Sequence, residues 1–235
     1  MATMTTAVPV RRRRLFYVGF ATALALTAFV GFGPTYFFKP VVQSPPLRPL
    51  AHVHALLFTS WIVLLLVQTT LVSVRRTDVH QKLGWIGVAL AVLMVPVGAM
   101  LAIDSAGHGL APPAMDPLTF MAIPLGALVL FTGFLTGAIA MRRRPALHKR
   151  LMLLATISII TPAIARFGFI GFRPLIALGL TGLFVLAAIA NDWRTDRRVH
   201  PVYIWGGLLI LVSGPLRIAI GRTEMWHAFA RMLVI

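Results

Sequence analysis

The chain has 235 residues, 58% of them apolar and only 12% charged, with a mean hydropathy of +0.87 and a formal charge of +16. That balance excludes an ordinary soluble domain, which must face water with polar residues. Cysteine is absent, which excludes disulfides, iron–sulfur clusters, zinc–thiolate sites and covalently attached haem together.

Residues 1–14 read as a disordered basic tail closing on Arg11, Arg12, Arg13 and Arg14. The apolar run that follows, 15–38, is longer than the core of a removable signal and is followed by six more, so it reads as a retained helix. The connection 39–50 holds Pro40, Pro45, Pro46 and Pro49, which predict an extended path. A second run, 51–74, opens with His52 and His54. Helical positions two apart point about 200° away from each other, so the two rings cannot readily share one ion, and one of them is expected to face the bundle. His54, Trp61 and Gln68 are spaced by seven and form a polar track on one face, against which a haem or a quinone could lie, with plain helix packing as the alternative.

The third run, 83–103, is preceded by Arg75-Arg76-Thr77-Asp78-Val79-His80-Gln81-Lys82-Leu83. After a Gly- and Pro-rich connection, 104–117, with Asp104, His108 and Asp116, comes a fourth run, 118–141. Gly133 and Gly137 in it are spaced for close helix approach, and Pro124 predicts a kink. The fifth run, 149–169, repeats the earlier introduction as Arg143-Arg144-Pro145-Ala146-Leu147-His148-Lys149-Arg150-Leu151, and carries Pro162 and Arg166. The sixth spans 172–190. The seventh, 202–220, follows a degenerate third copy, Arg197-Arg198-Val199-His200-Pro201, and contains Gly206 and Gly207 beside Trp205, which also suit close helix approach, together with Pro215, which predicts a kink, and Arg217. Residues 223–235, with Trp226 and His227, form an amphipathic tail suited to an interface.

Each run is long enough to cross a bilayer. Helices are expected throughout, because backbone polar groups in lipid must be satisfied within the segment, and the alternation of a membrane barrel is missing. The expected fold is all-α, one seven-transmembrane-helix bundle over 15–222. Fifteen of the 22 Lys and Arg residues fall on one side, which places the N-terminus inside and the C-terminus outside. These cations flank spans, so they read as topology signals and as anchors for anionic lipid headgroups at the inner face, and not as a nucleic-acid surface.

The two matching Arg-Arg-x-x-x-His-x-[Lys/Arg]-Leu strings, and the third partial one, place His80, His148 and His200 at the inner ends of the third, fifth and seventh helices. Neutral imidazoles there suit metal ligation. Two that face each other suit haem b, with nearby Arg76 and Arg144 for its propionates, and three would suit a divalent transition metal. His54, then His52, are the outer candidates, with His227 as a partner for either. Arg166, Arg173 and Arg217 lie at outer helix ends, where partners are expected among Asp104, Asp116, Glu224 or an anionic ligand. No lysine lies within a span, which excludes a retinal Schiff base, and no acidic residue lies in the middle of one, which argues against a proton- or sodium-coupled transporter. No zincin, nucleophile-elbow or Walker motif occurs.

The segment Leu147-His148-Lys149-Arg150-Leu151-Met152, continuing to Ala155 and Thr156, resembles the His-Lys-x-x-Met segment of small bacterial multi-pass membrane proteins linked to cytochrome oxidase assembly. His52-x-His54 together with His80-x-x-Leu83-Gly84 is similar to wider bacterial membrane families with histidines at helix ends. The resemblance covers the second to fifth helices and implies a respiratory or haem-related setting in a bacterial inner membrane. The leading expectation is haem b or metal binding by helix-end histidines, in electron transfer or respiratory-complex maturation. A non-catalytic accessory or lipid-binding subunit, and a membrane-embedded metal-dependent enzyme, stand as alternatives.

Overall fold

The computed structural model describes residues 10–39, 46–113 and 115–234. Seven helices long and apolar enough to cross a membrane follow one another: α1 (Val10–Phe32), α2 (Pro49–Ser73), α3 (Thr77–Gly107), α4 (Pro117–Ala140), α5 (Pro145–Ala165), α6 (Pro174–Asp196) and α7 (Pro201–Gly221). A π-helical turn, Gly33–Phe37, extends α1, and a short amphipathic α8 (Glu224–Leu233) ends the chain. The protein is an all-α, multi-pass membrane protein.

Proline marks many of the boundaries. α2, α4, α5, α6 and α7 all open on it, at the position where a missing N–H is no loss and the fixed φ suits a helix. Pro49 therefore starts α2, and Pro46 to Arg48 lead into it outside any regular element; the rest of the proline-rich stretch, 40–45, lies outside the described residues. α1 begins at Val10, so the four arginines expected in a disordered tail belong to the helix, while residues 1–9 lie outside the description. The predicted prolines 124, 162 and 215 lie inside α4, α5 and α7, and Pro96 inside α3.

Helices α4 and α5 form the centre. α4 packs on α3, α5, α7 and α8, and α5 packs on α1, α4, α6 and α7. Glycine sets the closest crossings, but not where the Gly133 and Gly137 pair predicted: a side chain at Gly133 would meet open space, and one at Gly137 would make an ordinary contact with Leu151. Tight positions include Gly31, where α1 presses on the Ala163 backbone of α5, Gly221, against the Thr119 backbone of α4, and Gly206 and Gly207, the other expected pair, against Leu154 and Val185.

One buried ion pair fastens α5 to α6 and α7. Arg150 is 5% exposed and Asp192 1%. The guanidinium donates from Nε to one carboxylate oxygen at 2.9 Å and from Nη2 to the other at 2.8 Å, while Nη1 donates to the Ala146 carbonyl at 2.7 Å. Asp192 also accepts the His200 backbone N–H at 3.1 Å, and the buried Tyr203 ring lies under the guanidinium at 5.7 Å. Such a fork is well satisfied in place and severe to break, since removing one partner strands a charge. Arg150→Met should therefore destabilise the fold by roughly 3–5 kcal/mol, and Arg150→Met with Asp192→Leu should recover most of that loss. Thermal unfolding of the detergent-solubilised variants measures both; a single variant as stable as the parent removes the pair from this role.

Candidate functional site

The repeated string is also a repeated structure. Arg76 and Arg144 are the residues preceding the first turns of α3 and α5, and His80 and His148 each donate their backbone N–H back to that arginine's carbonyl, at 3.1 and 3.0 Å. Both histidines occupy the fourth helical position, at the arginine-rich end of the bundle. Their rings meet, with centres 6.2 Å apart and planes at 79°.

The two rings are held differently. His148 Nδ1 lies 2.9 Å from the Ala138 carbonyl oxygen, which only accepts, so Nδ1 carries the proton and Nε2 keeps its lone pair in the neutral ring. This is the arrangement usual for a ligating histidine, whose second nitrogen is anchored to a backbone carbonyl. His80 has its Nδ1 buried without a hydrogen-bond partner, and so has the Gln68 Oε1; His80 sits beside the Gln68 backbone. Orphaned polar atoms in an apolar surround are unusual in a folded protein, and a water, an ion or a ligand would complete the set. Arg144 is exposed, and Arg76 is exposed and paired with Asp78 at 3.3 Å.

His200 does not join them. It is itself the cap of α7, its Nδ1 accepting the Val202 backbone N–H at 3.2 Å, and it stands with Asp192 beside Arg150. The third copy of the string is shifted relative to the helix start, so its histidine caps the helix where the other two lie one turn inside. Among the described residues no three His, Asp or Glu side chains gather as a metal site, so the three-histidine centre is not assembled.

At the opposite end, His52 is exposed and pairs with the Tyr36 hydroxyl at 3.3 Å, while His54 turns inward, stacked on Phe58 at 4.0 Å, with its Nδ1 buried and unpartnered. The track on α2 faces inward as its spacing predicts. Trp61 is buried at its middle and donates to the Thr156 hydroxyl of α5 at 3.2 Å. His227 partners neither His52 nor His54. It lies 3.1 Å from the Thr119 hydroxyl and 3.6 Å from Asp116, and together with Trp226, which donates to the Leu118 carbonyl, it seats α8 on the start of α4.

The arginines at this end also differ from expectation. Asp104 pairs with Arg48 at 3.1 Å, and Asp116 caps α4 through the Thr119 N–H. Arg217 is satisfied by Ser213 and by the Ile123 carbonyl of α4. Arg166, at the end of α5, has one hydrogen bond, to the Pro162 carbonyl, and lies over the faces of Phe32 and Phe172. The Arg150–Asp192 pair escapes a reading that ends the sixth span at 190; the signal available was that Asp192 is one of only six acidic residues and directly follows an apolar run.

No family model, curated protein or solved structure matches the chain.

The His200 cap has a pH signature. Burial, and then the Arg150 charge, lower its pKa, with Asp192 opposing. A histidine whose folded pKa lies below its unfolded value is neutral in the fold while the unfolded chain takes up the proton, so stability declines as pH falls through about 6.5. Between about pH 7.5 and 5.5, the parent should lose more stability than His200→Asn, which keeps an acceptor that does not titrate. Melting curves at the two pH values decide this; equal losses assign the acid sensitivity elsewhere.

Proposed function

We propose that the protein is a bacterial inner-membrane cofactor protein in which His80 and His148 ligate a transition-metal centre, with haem b iron as the favoured form, and that it serves electron transfer or the maturation of a respiratory complex. The facing imidazole pair carries this reading. Metal–imidazole bonds are about 2.0–2.1 Å long, so two rings sharing one metal would have centres on the order of 6 Å apart, in keeping with the observed 6.2 Å.

Donor count favours haem over a bare ion. A structural divalent metal normally takes about four protein ligands and a catalytic one about three, whereas a haem brings most of its iron's ligands with it and would need only about one or two from the protein. Two histidines with no third His, Asp or Glu grouped beside them among the described residues fit the second case. When bound, the haem would supply one-electron chemistry. The chain's own part is to hold the His148 ring by the Ala138 carbonyl, to present the unsatisfied polar atoms of His80 and Gln68, and to offer Arg76 and Arg144 to carboxylates at the surface. With the N-terminus inside, this site faces the cytoplasm, among arginines that also suit anionic lipid headgroups.

Protein purified from a haem-replete host should show a Soret band, and His80→Ala and His148→Ala should each abolish it, while His200→Ala leaves it in place. A colourless, metal-free protein that also fails to take up added haemin would overturn the proposal.

A further inference from the structure

The opposite end of the bundle holds a second constellation, independent of whether the imidazole pair carries a cofactor. The Trp61–Thr156 hydrogen bond fixes the register of α2 against α5, which run in opposite directions. Counting outward at about 1.5 Å per residue, His54 lies about 10 Å beyond Trp61 and Arg166 about 15 Å beyond Thr156. The two residues therefore lie toward the same end of the bundle, at depths within about 5 Å of each other. Among charged groups, Arg166 is the one whose field reaches His54.

Both are short of partners. The chain has six acidic residues in all. Asp78 is taken by Arg76, Asp104 by Arg48, Asp192 and Asp196 by Arg150, Asp116 caps α4, and Glu224 opens α8. Among the described residues no acid pairs with Arg166. Among them its guanidinium makes one hydrogen bond, to the Pro162 carbonyl at 2.7 Å, where five N–H donors are available. His54 adds a buried Nδ1 with nothing to bond. An arginine at the edge of a membrane span without a counter-charge ordinarily marks a ligand or pathway.

The surround narrows the ligand. Phe58 stacks flat on the His54 ring, and Phe32 lies 4.6 Å from the Arg166 guanidinium carbon, with Phe172 at 5.9 Å. Flat apolar walls with donors gathered at one edge fit a planar ring that presents a carbonyl oxygen. A phosphate, with oxygens on every side, gains little from aromatic faces.

We infer that His54 and Arg166, walled by Phe32, Phe58 and Phe172, form a binding site for the carbonyl-bearing headgroup of a membrane quinone. A carbonyl oxygen accepts from Arg166, and the imidazole supplies a second donor or acceptor according to its tautomer. The isoprenoid tail needs no site of its own, because it stays in lipid.

Decyl-ubiquinone and menadione serve as probes, titrated against the full chain in phosphatidylcholine nanodiscs and followed by quenching of tryptophan fluorescence. At least one should quench saturably. Arg166→Gln and His54→Phe should each weaken it about tenfold or more, with Arg222→Gln, an exposed arginine at the same end, unchanged. A further pair, Arg166→Lys and His54→Gln, retains polarity and guards against loss of fold; Arg166→Lys should bind more tightly than Arg166→Gln. Absence of saturable quenching by either probe overturns the inference, as does unchanged affinity in the substituted proteins. Abolition of quinone binding by phosphatidylglycerol in the nanodisc also overturns it, since the site then belongs to a lipid phosphate.

Discussion

Much of this molecule follows from where Arg150 is allowed to point. Buried in a membrane protein, a guanidinium has to meet its carboxylate, and Asp192 lies on α6, across from α5. Satisfying that fork fixes the rotation of α5 about its own axis. His148 is two residues earlier, about 200° round the helix, so sending Arg150 toward α6 and α7 sends His148 the other way, against the end of α4 and the start of α3. The imidazole pair is thus oriented partly by an ion pair that does not touch it. Asp192 contributes a second constraint by holding the His200 backbone N–H, which sets where α7 begins.

The parts of this arrangement visible in the sequence are those that repeat locally. Seven apolar runs, the His54, Trp61 and Gln68 spacing, and the doubled string around His80 and His148 are periodic features of one helix or one turn, and the structure returns them in place. What escapes is decided between helices. Arg150 and Asp192 are 42 residues apart, and nothing near either announces the other. The third histidine string looks like the first two as text, but a helix begins one turn later relative to it, and His200 becomes a cap. Gly133 and Gly137 have the right spacing for a crossing and no backbone opposite them, whereas Gly31, in Val30-Gly31-Phe32-Gly33 with no four-residue glycine spacing, meets the α5 backbone.

The facing stripes on α2 and α5 divide the bundle into three levels. At the arginine-rich end are Gln68, His80 and His148; at the other are His54 and Arg166. Between them the Trp61–Thr156 bond sits in a layer of Met94, Phe131 and Ala155, all buried and none ionisable. The ionisable residues of these two helices thus lie toward the ends, and the interior is joined by neutral hydrogen bonds, Trp61 to Thr156 and Thr161 with Thr181. In a low-dielectric layer that distinction matters, because an unpaired charge there is far more costly than a neutral donor with its acceptor.

This layering also bears on what can pass between the ends. An ion or a hydrated proton crossing the middle would need a succession of polar groups, and at the Trp61 level the indole N–H is already bonded to a threonine hydroxyl, edge-on to Phe131 at 5.1 Å. The same bond joins α2 to α5 at the level of Trp61, between the two polar ends of these helices.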